Sequence, residues 1–299
     1  MLDLHRLSLL RELAIRGTIT EVAAALNFAP STVSAQLSRL EKEARTTLLV
    51  SSGRKVMLTT AALGLVEHTN DMLAIMEEAT AQLAEADSTV AGTVRLSMFQ
   101  TSALALLPGT LRLLGTTHPQ IRLEVAQREP EQALHDTWAG DFDIVVAEQY
   151  PGHAVPQLPD MLTTALVDDP LRLAIPATLA NDVTQLTDAA YLPWIMEPAP
   201  AASRHWALQQ CRVAGFEPDI RYSSADLQAH LQLIEAGEAV AILPGMLGGY
   251  RRPQVTWVPL DSAPQRHIFL AMRQASAQHP AVAAVAFAIQ QHAQDAARD

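Results

Sequence analysis

Apolar residues recur at Leu4, Leu7, Leu10, Leu13 and Ala14, the three-to-four spacing of an amphipathic helix, and the pattern stops at Gly17. The spacing predicts a helix over residues 4–16 closed by a glycine cap. Thr18 and Glu21 then stand at the T-x-x-E spacing of a capping box, in which the threonine oxygen takes an exposed amide and the glutamate reaches back. A short second helix over residues 20–27 follows. Asn27, Phe28 and Ala29 make a turn, and Pro30 suits the first position of a third helix, STVSAQLSRLEKE, because its fixed φ is helical and its missing N–H would be unpaired there anyway. Within that helix Val33, Leu37 and Leu40 face inward. Ser31, Thr32, Ser34, Ala35, Ser38 and Arg39 lie outward, with Gln36 toward the edge. TTLLV and KVMLT flank SSGR, a tight turn between two apolar runs that reads as a β-wing carrying Arg54 and Lys55. Three helices and a wing make a winged helix-turn-helix.

From Thr59 to Ala86 there is no proline, and Leu65, Thr69, Met72, Met76, Ala79, Leu83 and Ala86 alternate four and three apart, the seam of a coiled coil. A helix of this length spans about 42 Å, more than a globular core requires. It predicts pairing of two chains through Leu65, Met72, Met76, Ala79 and Leu83; the alternative is that the seam packs on the chain's own carboxy-terminal part. Asp87 to Gly92 reads as a hinge.

Beyond it the pattern changes period. TVRLSM (93–98), IRLEVA (121–126) and DIVVA (143–147) alternate with helical patterns at 102–115 and 130–139, a βαβαβ unit and therefore a parallel sheet. A second set runs through LRLAI (171–175), YLPWIM (191–196), a helix at 203–215, DIRYS (219–223), a helix at 226–237 and AVAILP (239–244). HIFLAMR (267–273) and the helix from Pro280 return to complete the first lobe. The overall expectation is an α/β chain in three parts. Residues 1–58 form the winged module, 59–88 the linker helix, and 89–299 a two-lobed unit, with lobe I at about 93–165 and 268–299 and lobe II at about 166–267.

Charge sharpens this division. The net charge of −11 would discourage a polyanionic partner, but residues 1–58 carry +3, residues 59–88 carry −6 and the remainder −8. Only the first segment can face nucleic acid. Short polar side chains let the third helix approach a major groove, Gln36 can bond adenine edges, and Arg39 can reach guanine or phosphate. The DNA-facing set is therefore Thr18, Ser31, Thr32, Ser34, Ala35, Gln36, Ser38, Arg39, Arg54 and Lys55. A module that only packs helices, with no nucleic-acid role, is the plainer alternative. With 49% hydrophobic and 18% charged residues, a nine-residue late apolar run, no secretory-type amino terminus and one cysteine, Cys211, the chain is expected to be soluble and cytoplasmic, without a membrane partner.

The opening DLHRLSLLRELAIRGTITEVAAALN, the third helix with Ser31, Val33, Ser34, Gln36, Leu37, Leu40 and Glu41, and the wing with Leu48, Gly53, Arg54, Leu58, Thr59 and Ala61 resemble the amino-terminal domain of LysR-type transcriptional regulators. The remainder resembles their effector-binding domain, itself like a periplasmic binding protein, with TVRLS, LLPGTLRLL, HPQIRLEV, GDFDIVVAE and GEAVAILPG in family order. The resemblance is collinear over nearly the whole chain. It departs at Ala29, where the family usually has a serine cap, at Leu49, Ser51 and Ala62, and at Arg45, where glycine is common. It implies a homodimer or homotetramer on double-stranded operator DNA, on the nucleoid of a bacterium. A small metabolite is the effector, there is no fixed cofactor, and RNA polymerase is a further candidate partner.

In open α/β sheets ligands sit beyond the carboxyl ends of strands, where helix N-termini present unpaired amides. That selects Gln100, Thr101 and Ser102 after the first strand, with Phe99 as an apolar wall. It also selects Glu148 after the crossing strand, Glu197, Ser203 and Arg204 after the strand ending near Met196, Ser224 at a helix start, and Pro244 after AVAIL. Glu148 and Glu197 could pair with an ammonium group while Arg204 and helix amides hold a carboxylate, which suggests an amino acid or similar metabolite. There is no G-x-S-x-G, P-loop, dinucleotide fingerprint, H-E-x-x-H or metal-ligand spacing, so no catalytic or metal residues are expected. Cys211, inside a helical pattern, reads as a buried apolar residue before a redox sensor. The competing readings are a cytoplasmic metabolite-processing enzyme with a helical oligomerisation module, and a solute-binding protein.

Overall fold

The computed structural model describes residues 1–52, 55–85, 89–155, 157–249 and 252–296, and the chain divides into two units, Met1–Asp87 and Ser88–Asp299. Gly53 and Arg54 of the wing turn, and Ala86 to Ser88 between the long helix and the second unit, lie outside the described residues.

In the first unit α1 (Leu4–Arg16) starts where Asp3 accepts the Arg6 amide at 3.1 Å, and it ends at Gly17 with φ 82°. Helix α2 (Ile19–Ala25) is capped by Thr18, whose Oγ1 accepts the Glu21 amide at 3.2 Å. The other half of the expected box differs. Glu21 accepts the Thr18 hydroxyl proton at 2.7 Å, so this carboxylate secures the capping side chain. The helix ends earlier than the sequence suggests, because Asn27 turns left-handed at φ 56°. Helix α3 (Pro30–Ala44) buries Val33, Leu37 and Leu40 against Leu10 and Leu13 of α1 and Val22 of α2. Glu41 of α3 accepts the amides of Leu48 and Leu49, at 2.9 and 3.1 Å, and so fixes where the hairpin of β1 (Leu49–Ser52) and β2 (Lys55–Leu58) leaves the helices.

The long helix α4 (Thr60–Glu85) joins the same core through Ala62 and Val66, and Arg11 of α1 donates to Asn70 at 2.7 Å. Further along, Met72, Ile75, Met76, Ala79 and Leu83 are exposed, Ile75 at 63% and Leu83 at 76%. Of the pairing positions named from the sequence, only Leu65 is half-buried in the unit's own core. Ile75 extends the apolar stripe.

The second unit opens with β3 (Gly92–Met98), α5 (Gln100–Thr117), β4 (Ile121–Gln127), α6 (Pro130–Ala139) and β5 (Ile144–Gln149). Strands β4, β3 and β5 are parallel. The chain then enters β6 (Met161–Pro176), a strand of 16 residues whose two halves belong to different sheets. After it come β7 (Pro193–Met196), α7 (Ala202–Val213), β8 (Asp219–Ser223), α8 (Leu227–Glu235), β9 (Ala241–Pro244) and β10 (Val255–Pro259). Strand β11 (Gln265–Arg273) and α9 (Pro280–Ala296) complete the fold. Residues 161–170 of β6 pair with β11, and residues 171–176 pair with β9 and β10. Lobe I is thus β4-β3-β5-β11 with the first half of β6. Lobe II is the second half of β6 between β9 and β10, with the parallel β7–β8 pair attached through a bridge from Trp194 to Val240.

The outward crossing is made by β6, and the return by residues 260–264, which lead from β10 into β11. Strand β5, the crossing strand by the sequence reading, stays in lobe I, because its carboxyl end pairs with β11 inside that sheet. A lobe boundary between residues 165 and 166 likewise falls inside a continuous strand. In lobe I, α5 and α9 cover one face around Leu96, Val146, Leu270 and Ile289, and α6 covers the other. At Gly109 of α5 the His292 ring of α9 stands where a Cβ would be, so a larger residue there would have to displace that ring. In lobe II, α7 packs Trp206 and Cys211 against Leu173 and Trp194, while α8 packs Leu231 and Ile234 against Ala241 and Leu243.

Two weak points in the first unit are measurable. Ala29 occupies the α3 cap without a side-chain hydrogen bond, and Arg45 closes the same helix at φ 51°. Ala29→Ser should stabilise the first unit by about 1 kcal/mol. Arg45→Gly should add about 0.5–1 kcal/mol, the relief of a left-handed side chain less the entropy of glycine. Urea denaturation of the full-length protein, followed by a probe in the first unit, reads both.

Candidate functional site

On α3, Ser31, Thr32, Ser34, Ala35, Ser38 and Arg39 are all exposed, a face without bulky apolar side chains. Gln36 differs from the rest. It is half-buried, and its Oε1 accepts the Arg6 Nε–H at 3.0 Å, while the same guanidinium pairs with Glu43 at 2.6 Å. Its carbonyl is thus engaged in holding α1 to α3. Thr18 is half-buried and spends its hydroxyl on the α2 cap. Lys55 opens β2, and Arg54 lies outside the described residues.

In the second unit a cavity of about 290 Å³ lies between the lobes. Phe99, Gln100, Thr101, Glu148, Glu197, Ser203, Arg204 and Pro244 line it. Two residues named from the sequence do not. Ser102 is buried in the first turn of α5 and donates to the Phe99 carbonyl at 2.8 Å. Ser224 precedes the real helix start: Asp226 is the α8 cap, and Ser224 Oγ accepts the Asp226 amide at 3.1 Å. Glu148 lies within β5, opposite Ile268 of β11.

The floor of the cavity is built on a residue that the sequence does not single out. Arg266, one residue into β11 and 1% exposed, donates to Asp169 of β6 through Nε at 2.9 Å and Nη2 at 2.6 Å. It also donates to Thr101 at 2.7 Å and to Glu148, and its guanidinium sits 5.2 Å from the centre of the Phe99 ring. Burial alone would lower its affinity for the proton, but Glu148, Tyr150 and Asp169 hold it above the ordinary arginine value. Burial raises the Glu148 carboxyl despite the Arg266 charge beside it. Asp169 accepts in addition the Met246 amide at 2.9 Å.

The lobe II wall is made by the turn from β7 into α7. Glu197 accepts the Ser203 hydroxyl proton through its carboxylate and an Arg204 N–H through its backbone carbonyl, the latter at 2.9 Å. Its carboxyl is pushed up to about 7, by burial first and then by the neighbouring charges of Glu129 and Glu148, against the opposing pull of Ser203 and Arg266. On the same wall His230, 2% exposed, donates from Nε2 to the Ser224 carbonyl at 2.7 Å, and its Nδ1 has no partner. Burial lowers the imidazole's affinity for a proton, so the ring is neutral and Nδ1 is an acceptor. Across the cleft, Gln100 at the start of α5 donates to Asp226 at 2.7 Å and accepts the Leu227 amide at 2.9 Å. One side chain from lobe I thereby caps the first turn of a lobe II helix.

A winged helical module followed by a two-lobed α/β unit with an interlobe cavity is matched by two family models. Residues 4–63 fit the bacterial regulatory helix-turn-helix protein, lysR family, and residues 87–294 fit the LysR substrate binding domain. The chain belongs to the lysR family. It is a transcriptional regulator with a helix-turn-helix and an effector-binding domain, and the enzyme reading has no support among its relatives. The chain is 24% identical over 299 residues to a hydrogen peroxide-inducible genes activator of Pectobacterium carotovorum subsp. carotovorum, covering 98% of this chain and 97% of the relative. A full-length OxyR variant from Pseudomonas aeruginosa shares the fold with a TM-score of 0.67 at 18% identity, over 97% of this chain and 95% of that one. Full-length CbnR complexed with its target DNA does so with a TM-score of 0.55 at 20% identity, over 98% and 100%. LysR-type regulators bind small-molecule effectors, and among the described residues of this one no helix is long and apolar enough to cross a membrane.

The electrostatics of this regulator's cavity set two expectations. Folded Glu197 binds its proton more tightly than the ordinary 4.5, so stability falls as pH rises through the window from 4.5 to about 7. Glu197→Gln should therefore match the native chain near pH 4 and exceed it by about 3 kcal/mol at pH 8, taking 1.36 kcal/mol per pH unit. Thermal denaturation at the two pH values distinguishes this from a pH-independent gain. Arg266→Met leaves Asp169 and Glu148 buried without their cation, and should cost about 3–5 kcal/mol in the unfolding of the second unit.

Proposed function

We propose that this regulator reads operator DNA as a pair of α3 helices held at fixed separation by α4, and that a small molecule entering the interlobe cavity alters the geometry of that pair. Residues 1–58 would serve as the DNA-binding domain, 59–88 as the dimerisation helix and 89–299 as the effector domain. The observation that carries the reading is the bare apolar stripe Met72, Ile75, Met76, Ala79 and Leu83 on an otherwise acidic helix. Such a stripe is stabilised by the same stripe on a second chain, and a symmetric pair can occupy successive major grooves about 34 Å apart. A dimer, or a dimer of such dimers, contacting RNA polymerase from the cytoplasmic nucleoid is the assembly this supports.

Within the DNA-facing set, Ser31, Thr32, Ser34, Ala35, Ser38 and Arg39 are proposed to approach base edges, with Arg54 and Lys55 on the phosphates. Gln36 and Thr18 are proposed as supports of that face, because the Gln36 carbonyl and the Thr18 hydroxyl already have intramolecular partners. The input we propose is ligand binding and not thiol oxidation. The chain has one cysteine, and Cys211 is fully buried, with its thiol pushed up to about 12 by burial and by Glu217. The nucleophilic thiolate is therefore scarce at neutral pH, and no second cysteine is present for an internal disulfide.

Met76→Glu places a charge in the centre of the stripe. It should convert the protein to monomers in analytical ultracentrifugation and lower operator affinity at least about tenfold, the loss of paired binding. Unchanged assembly would remove α4 as the pairing element. Affinity for promoter DNA should fall with salt at a slope of about −0.9 per phosphate neutralised, and Arg39→Ala should relax operator preference. Native mass spectrometry of the purified chain tests whether a small molecule occupies the effector unit.

A further inference from the structure

The cavity is rich in acceptors whose donors have been spent inside the protein. Arg266 is consumed by Asp169, Glu148 and Thr101, and Gln100 is consumed in both directions by Asp226 and Leu227. Four glutamates, Glu129, Glu131, Glu148 and Glu197, line the space against two arginines, and the charge of Glu148 is already neutralised by Arg266. Glu131 faces His153 at 3.2 Å near the mouth. That leaves Glu197 deep in the wall and Glu129 at the rim facing the space with no arginine paired to either carboxylate among the described residues. Elsewhere the walls are apolar, with Phe99, Leu171, Ile195, Met196 and Trp206. At about 290 Å³ the space sits at the small end of ligand pockets.

We infer that the effector is a small organic cation, an ammonium ion on an apolar body, with its N–H donors directed to Glu197 and Glu129 and its hydrocarbon against Phe99, Met196 and Trp206. This rests on the effector reading above and adds the charge class of the ligand. It also revises the pairing suggested by the sequence. Glu148 belongs to Arg266, so the ammonium falls to Glu197. For a carboxylate ligand the floor arginine is committed, which leaves Arg204 on the wall, with one N–H on the Glu197 carbonyl, against the three other lining glutamates, Glu129, Glu131 and Glu197.

The test is calorimetric titration of the full-length protein at pH 8 with butylamine, cyclohexylmethylamine and 2-phenylethylamine, each beside its carboxylate and alcohol counterpart of equal length. The ammonium member should bind at least about tenfold more tightly than either counterpart in the best-fitting series, the equivalent of one favourable charged contact. Glu197→Gln should lower ammonium affinity about tenfold while changing alcohol affinity less than about twofold, since the amide keeps the shape and loses the charge. Glu129→Gln, on an exposed residue, provides a second variant with no folding liability and should give a smaller loss of the same sign. A carboxylate or alcohol that binds more tightly than its ammonium partner would overturn the charge class and leave the cleft standing as the effector site. Failure of every ammonium ion to bind would overturn the charge class as well, and the native mass spectrometry then judges the cleft separately. Ammonium binding unaffected by either glutamine substitution would overturn the assigned contacts.

Discussion

The second unit is organised around one buried cation. Arg266 is at the start of the strand that returns to lobe I, Asp169 is near the point where the outgoing strand changes sheets, and the two are joined by a pair of hydrogen bonds. Removing a guanidinium from water is costly, and the cost is offset only where several acceptors surround it. Asp169, Glu148 and Thr101 provide them from three different elements, and the Phe99 ring lies beneath. The pair therefore fixes β6, the start of β11, the end of β5 and the first turn of α5 relative to one another. An apolar cluster of the same volume could supply stability as well, but it would not set the direction of polar groups at the cavity floor. Beyond residue 170, β6 leaves β11 and pairs with β9 and β10, so any relative motion of the lobes is taken up where the pairing partner changes.

The parts of this architecture that can be read from the sequence are those with a clear period. The winged module, the long helix and most strands of both lobes announce themselves by spacing, because each buries a single face or lies wholly inside. Residues 161–170 of β6 do not. MLTTALVDDP has no alternation, since Leu162 to Ala165 are exposed in succession where this half-strand forms the edge of the lobe I sheet. Strand β10, on the edge of its sheet, buries Val255 and Val258, three apart, which is not a strand's period. The cavity follows the same logic. Residues after parallel strands can be named from topology, and most of those named do line the space. Arg266 cannot, because β11 runs antiparallel to β5 and so brings its beginning, not its end, to the side where the parallel strands finish. Recognising that the strand returns reversed would point to an arginine at its start. Ser102 and Ser224 miss the cavity for a simpler reason: short hydroxyl side chains near helix starts satisfy local backbone groups before they reach a ligand.

In the first unit, amino-acid type and spacing locate the outward face of α3 but do not assign how its polar groups are used. Gln36 has the chemistry to read a base, yet Arg6, thirty residues earlier, takes its carbonyl and is itself held by Glu43. Glu41 shows the converse. Nothing in a helical pattern reveals that its carboxylate receives two amides from the segment entering the wing, although this contact sets the angle at which the wing departs. Both assignments depend on contacts between elements, which periodicity does not encode.

The polar link across the cleft gives a scale for the switching that a ligand must perform. Gln100 makes two hydrogen bonds to the start of α8, one of them to a carboxylate held below its ordinary range chiefly by that same contact. Such bonds contribute about 1 kcal/mol each net, and somewhat more where a charge is involved. The clamp is therefore worth roughly 2–3 kcal/mol, which is also the size of coupling by which effectors typically shift a two-state protein, about 30- to 150-fold. A ligand that binds equally well to the joined and the parted arrangement favours neither, however tightly it binds. To change the lobes' relation it must either compete for Gln100 and Asp226 or bind better to the arrangement in which they are joined. Since Asp226 also caps α8, separation of the pair leaves the helix its own cap, and the lobes can part without unfolding either partner.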